Sequence, residues 1–314
     1  MKALKSIILS AIIAFPGSMM AQDNISLPFL QLNPDVRTAG MGNVRLYSQR
    51  GQLLYSDPTA ILGSSESRLH AAYSLGMYPK VAGGRQLFNT LSLGYQISER
   101  HAVLVGGRLL SGLSVDIVDA YGYLGSLRPM DFSIDLGYAY RVNTHFALYG
   151  VASYVNAYNG GTAHVALLSL GAVYRDVMDV GSQVVGYKLG AAVEHIGSHV
   201  RYGQDGRSVQ PPSALSLSAS GVTDISRTVM LGLGLGLRYV FAHDNNRQLS
   251  LSSGAELKLW QALAFRLGYQ TQVGKGQTSL GIGYEWQSLS LDAAYILSSP
   301  SDYNSLRLGV GLRF

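Results

Sequence analysis

The carboxy-terminal decapeptide constrains the fold more than any other stretch of this sequence. In Ser305-Leu306-Arg307-Leu308-Gly309-Val310-Gly311-Leu312-Arg313-Phe314 every even position is apolar and every odd position is Ser, Arg or Gly. Successive side chains of a strand point to opposite faces, so this segment has one greasy face and one that is small or charged. A strand of a soluble sandwich also alternates, but its outer face is richer in Lys, Glu and Thr. The same period recurs upstream. Leu231, Leu233, Leu235 and Leu237 alternate with glycines and Arg238, and Leu280, Ile282, Tyr284 and Trp286 with Gly281, Gly283 and Glu285. Phe265, Leu267 and Tyr269 oppose Arg266, Gly268 and Gln270, while Phe132, Ile134, Leu136, Tyr138 and Tyr140 oppose Ser133, Asp135, Gly137 and Arg141.

These spans of about ten residues are the length of a tilted transmembrane strand. The segments near 102–113 and 146–157 alternate less cleanly, and their registers stay open. About fourteen strands are expected, near 68–77, 86–97, 102–112, 131–141, 146–157, 164–175, 184–196, 212–220, 229–240, 249–259, 263–272, 278–287, 289–297 and 304–314. Tight turns at 98–101, 143–145, 261–262 and 287–288 alternate with longer connections at 78–85, 113–130, 197–211, 241–248 and 298–303, as periplasmic turns alternate with extracellular loops. The connections 176–183 and 221–228 are longer than a periplasmic turn should be. Tyr and Trp near strand ends suit a lipid–water boundary, although β-propensity alone also enriches them.

Composition supports a barrel in a membrane. Only 14% of the residues are charged and 47% are hydrophobic, against about 25% charged in soluble domains. Lys2 and Lys5 precede an apolar run from Ile7 to Phe15, which Pro16 and Gly17 break, so residues 1–21 read as a secretory signal peptide. Removing it lowers the net charge from +5 to about +3, too mild and dispersed for a nucleic-acid partner. Downstream no run of eighteen apolar residues occurs, so helical spans are not expected. An exported apolar chain without them is left with the closed barrel, whose backbone groups are all paired between strands. The expectation is an all-β, antiparallel, multi-pass barrel at 68–314 in a bacterial outer membrane, surrounded by its lipid.

Residues 22–67 do not alternate, yet carry Phe29, Leu30, Met41, Leu53, Leu54 and Tyr55. A barrel of about fourteen strands is wider than its own side chains fill, so this stretch is expected to form a hatch inside it or across its periplasmic mouth. Pro28-Phe29-Leu30-Gln31-Leu32-Asn33-Pro34-Asp35-Val36-Arg37-Thr38-Ala39-Gly40-Met41-Gly42 resembles the opening motif of the PorV/PorQ family, Bacteroidetes barrels of the FadL-like superfamily. Tyr55-Ser56-Asp57-Pro58-Thr59-Ala60-Ile61-Leu62 resembles the segment that follows it, with Asp57 in place of Asn and Thr59 inserted. The resemblance implies a fourteen-stranded barrel with an N-terminal hatch and an accessory role in type IX secretion, with secretion components or cargo C-terminal domains as partners. The alternative is a FadL-like transporter with a hydrophobic ligand. On this reading Pro34, Asp35, Arg37, Gly40, Met41, Gly42, Asp57 and Pro58 are the hatch residues.

Charges on the polar face form the other candidate set: Asp135, Arg141, Lys188, Glu194, Arg238, Arg266, Glu285, Asp292 and Arg307, with Glu256, Lys258 and Arg313 beside them. They either line a polar path and hold the hatch or simply pair with each other, and mutual pairing is favoured. Asp35 and Arg37 are expected to be their partners in the hatch. Enzymatic and metal readings are set aside. The sequence has no cysteine and no G-x-S-x-G elbow, and His195 and His199 lie four apart on a strand end, where that spacing shares no face. No cofactor is expected. Gly232-Leu233-Gly234-Leu235-Gly236 lacks dinucleotide spacing and reads as lumen-facing packing space. Leu233→Arg is therefore expected to cost about 2–4 kcal/mol on the lipid face, and Gly234→Ser much less.

Overall fold

The computed structural model describes residues 27–314 apart from 47–49, 64–66, 82, 120–121, 160, 204–207, 242–246, 273–274 and 300. The signal-peptide segment 1–21 lies outside the described residues. The strands are β1 (Leu69–Val81), β2 (Gly84–Gln96), β3 (His101–Leu113), β4 (Val115–Asp119), β5 (Gly122–Leu127), β6 (Met130–Arg141), β7 (Phe146–Tyr158), β8 (Thr162–Val180) and β9 (Gln183–Gly197). They continue as β10 (Val200–Arg201), β11 (Ser208–Val209), β12 (Ala214–Ser226), β13 (Val229–Val240), β14 (Gln248–Leu259), β15 (Leu263–Gln272), β16 (Lys275–Trp286), β17 (Leu289–Ser299) and β18 (Ser305–Arg313). Fourteen of them close into an antiparallel barrel, β1 pairing with β18. The seam is sealed beyond the ladder, since Leu69 and Phe314 exchange backbone hydrogen bonds of 2.9 Å. The pairs β4–β5 and β10–β11 are hairpins within two of the long loops.

Alternation becomes two surfaces of opposite chemistry. Outside, Leu91, Val105, Leu136, Leu170, Leu235, Leu267, Ile282 and Leu308 are exposed, as side chains facing lipid must be. Their inward neighbours Ser92, Asp135, Glu256, Arg266 and Arg307 are buried. Trp260, Trp286, Tyr284, Tyr95 and Tyr138 form an exposed aromatic belt toward the short-turn end. Tyr78 is an exception, packing into the lumen.

Two registers that the sequence leaves open are now clear. In β3, Leu104 and Leu110 face inward with Arg108, and in β7 Val151 and Val155 do. Both faces of these strands are apolar because the inner one packs on apolar residues of the N-terminal segment. The connections expected at 176–183 and 221–228 are in fact extensions of β8, β9 and β12, which run on to turns at 181–182 and 227–228. The long connection expected at 78–85 is likewise mostly strand.

Candidate functional site: the N-terminal segment in the lumen

Residues 27–46 and 50–63 lie inside the barrel as short helical turns and loops, Pro28–Gln31, Val36–Ala39, Leu53–Ser56 and Pro58–Gly63. Phe29, Met41 and Val44 have no exposed surface, and Leu27, Leu30, Leu53, Leu54, Ile61 and Leu62 almost none. Each such side chain contributes about 1.5–3 kcal/mol by leaving water. The wall makes room for them with glycine. A Cβ on Gly234 would lie 2.5 Å from Val44, on Gly94 2.7 Å from Ile61, on Gly106 2.7 Å from Leu54 and on Gly309 2.9 Å from Val36.

The Gly40-Met41-Gly42 stretch shows why the segment's own glycines matter. A Cβ on Gly40 would stand 3.2 Å from the Gly281 Cα. Gly42 has φ +67°, and a Cβ there would stand 2.6 Å from both the Ser253 carbonyl and the Tyr269 amide. Only glycine combines that conformation with so close an approach of two backbones. Met41 lies against Gly254 and Gly268, and the Gly42 amide donates to Ser279 Oγ at 2.9 Å.

Polar anchors surround this apolar packing. Arg37 donates to both oxygens of Glu256, at 3.0 and 2.6 Å, and to Glu285 at 3.2 Å. Glu256 also accepts from Arg266 Nε at 2.6 Å, and Arg266 reaches Asp292 at 2.6 Å. Lys258 and Arg50 complete the set around Glu285, at 2.8 and 3.5 Å. Every charge in this buried array has an opposite partner, the condition under which burial of ions is tolerable.

Three further anchors bind the rest of the segment. Asp57 accepts from Lys188 Nζ at 2.8 Å and from Thr59 Oγ1 at 2.6 Å, while Arg175 holds the Thr59 carbonyl at 3.1 Å. Burial pushes the Asp57 carboxyl up, but Lys188 and the Thr59 hydroxyl outweigh it and hold the group below the usual carboxylate range. Asp135 accepts from Arg108 at 3.0 Å and from the Tyr55 phenol at 2.8 Å, and the Arg108 guanidinium lies 4.9 Å from the centre of the Tyr55 ring. Burial, and then the Asp135 charge, push the Tyr55 phenol well up, so it serves as a donor. Glu194 is gripped by Arg45 of the segment at 2.5 Å and by Arg238 of the wall at 3.1 Å.

Among the residues singled out in the sequence, Arg37, Asp57, Asp135, Lys188, Glu194, Arg238, Arg266, Glu285 and Asp292 thus meet at the contact between segment and wall. Arg307 donates to the Asn33 carbonyl, and Pro34 accepts from Ser74 at 2.8 Å. Pro58 opens its helical turn and is buried. Among the described residues Asp35 pairs with no wall charge. Its carboxylate caps the turn Val36–Ala39 through the Thr38 amide at 3.3 Å and accepts from the Gln52 amide at 3.0 Å, because free amides at a helix start take an adjacent Asp first. Arg141 sits at the short-turn end of β6, where its charged neighbours are Arg175 and Glu99. Arg45 and Gln52 were not singled out by the sequence, since a lone polar residue in an irregular stretch has no pattern to mark its partner. Nor were Arg108, which lies in β3, whose alternation is unclean, and Arg175, at the end of the expected strand 164–175. His195 faces the lumen at a bulge with φ 53°, opposite Ser169, whereas His199 is exposed.

The fold has counterparts among solved structures. TodX, a toluene transporter of Pseudomonas putida, matches at TM-score 0.52 over 88% of this chain and 96% of that one, with 13% identity. The fold is FadL-like. A TodX deltaS2S3 mutant, described as a monoaromatic hydrocarbon channel, matches at TM-score 0.51 over 90% of this chain and 99% of that one, also with 13% identity. The sequence matches no protein-family model and no curated protein.

Proposed function

We propose that this chain is an outer-membrane conduit for small hydrophobic molecules, stoppered by its own residues 27–63. The observation that carries the reading is an apolar cluster in the lumen. Leu27, Phe29 and Leu30 pack there on inward-facing Phe88, Leu110, Val155 and Val165, toward the long-loop end, and Val200 of β10 joins them from above. An inner wall that is apolar at this level would also suit a hydrophobic solute. Phe29 and Leu30 occupy the place such a solute would take. The FadL-like fold and the transport function named for TodX support the same reading.

A reversible lock tests it. The Cβ of Val44 lies 3.3 Å from that of a side chain at position 234, close to disulfide reach, and the chain has no other cysteine. Val44→Cys with Gly234→Cys in liposomes should take up toluene when reduced, stop when oxidised and recover with reductant. No uptake by the unaltered chain would sink the proposal.

The PorV/PorQ-like motif at Pro28–Gly42 favours a second reading, an accessory barrel of type IX secretion. It is supported by that motif alone and therefore stands behind transport. Copurification of secretion components or cargo C-terminal domains from membranes would revive it, and their absence would count against it.

A further inference from the structure

The outer strands do not all stop at the same level. Phe146, the first residue of β7, pairs with Tyr174, so β8 continues six residues past its neighbour to Val180. At about 3.3 Å per residue β8 runs about 20 Å along its own direction past the end of β7, on the short-turn, periplasmic side. The far side of the β8–β9 hairpin is covered, because β9 pairs with β12 down to Val185. Its near side is open. The Arg175 amide donates to the His145 carbonyl at 2.7 Å, which sets the direction of the ladder: residues 175, 177 and 179 turn their backbone groups toward β7, where the strand has ended. The Val177 amide is taken by the Asp176 carboxylate at 2.8 Å. The Val177 carbonyl and both backbone groups of Asp179 face the open edge.

This projection is apolar where no lipid reaches it. Val177 is 66% exposed and Val184 60%. Both lie on the face turned to the barrel axis, where a cleft of about 380 Å³ runs between the hairpin and the lumen segment, lined by Val177, Val222 and Leu46 among others. A free strand edge beside an apolar cleft is what an extended peptide needs: backbone groups to pair with and a recess for alternate side chains. Asp176, which also accepts from the Tyr174 hydroxyl at 2.8 Å, puts a negative charge on the outer face of this edge, opposite Val177.

We infer that the open edge of β8 at Asp176–Val180 docks an extended segment of a periplasmic protein, with apolar side chains alternating with basic ones. The segment adds a strand beside β8, sends its apolar side chains into the cleft against Val177 and Leu46, and sets its cations on the opposite face, near Asp176. A second copy of the barrel is a poor occupant. The edge opens along the rim, over the 142–145 turn, rather than outward toward a neighbouring barrel in the same membrane. The inference is independent of what passes through the lumen.

The full chain in phosphatidylcholine nanodiscs, one barrel per disc, provides the test. Fluorescence anisotropy would compare two labelled peptides, one alternating valine with lysine and one alternating valine with glutamate, with empty discs as the blank. The lysine peptide should bind saturably and the glutamate peptide much less. Asp179→Pro removes an edge amide but no bond to β9, and should weaken binding about tenfold. Asp176→Lys should shift preference toward the glutamate peptide. Both variants should keep the heat-resistant barrel mobility of the parent on gels, which separates lost docking from lost folding. Equal binding of the two peptides, or full binding by Asp179→Pro, would overturn the inference. So would a β8 edge protected only in discs that hold two barrels, which would make the occupant a second copy.

Discussion

At the scale of single residues, the interior is governed by contacts that neither the wall nor the segment makes alone. Gly234 is the clearest case. Alternation places it on the inward face, and a small polar replacement there looks harmless. The structure corrects this expectation, because Val44 lies against it with no spare volume. Gly234→Ser should therefore displace the lumen segment while sparing the wall. Proteolysis of residues 27–63 should accelerate while the barrel's gel mobility stays unchanged. Glu256 is the second case. It stands between Arg37 and Arg266, so Glu256→Gln leaves two buried guanidinium groups short of countercharge, a loss of about 3 kcal/mol. Urea titration followed by hydrogen exchange at residues 36–42 should register it first.

At the scale of elements, facing decides tolerance. Leu233 is 44% exposed on the outer face of β13, and Leu233→Arg should cost about 2–4 kcal/mol in lipid, read as a lower urea midpoint for the whole barrel. The turn at Pro58–Gly63 responds to pH instead. Because the Asp57 carboxyl is held below its ordinary value, its pairing with Lys188 stabilises the folded segment at neutral pH. That contribution is fully present above the unfolded value of about 4 and is lost as pH falls through the lower, folded one. A spin label at Ala60→Cys should become mobile in acid, whereas adding Asp57→Asn should make it mobile at neutral pH already.

At the scale of the whole molecule, the barrel closes without any strand from its filling. All fourteen strands pair with each other around the closed ring, and the segment adds packing and ion pairs to the inner face only. Deleting residues 27–63 should leave a folded barrel with a steady conductance in planar bilayers that the parent lacks. The sequence by itself determined where most of the fourteen strands lie and, for the cleanly alternating ones, their facing, because a period of two is a local property of a chain with one side in lipid and one side in water. The outward positions of β18, Leu306, Leu308 and Phe314, follow from it directly, and so does the absence of pattern in the residues that became the filling. Only the tertiary structure decided which inner charge meets which segment residue, why β3 and β7 are apolar on both faces, and that β8 overruns β7. Each of these depends on two stretches far apart in the chain sharing one small volume, and no local period records such a meeting.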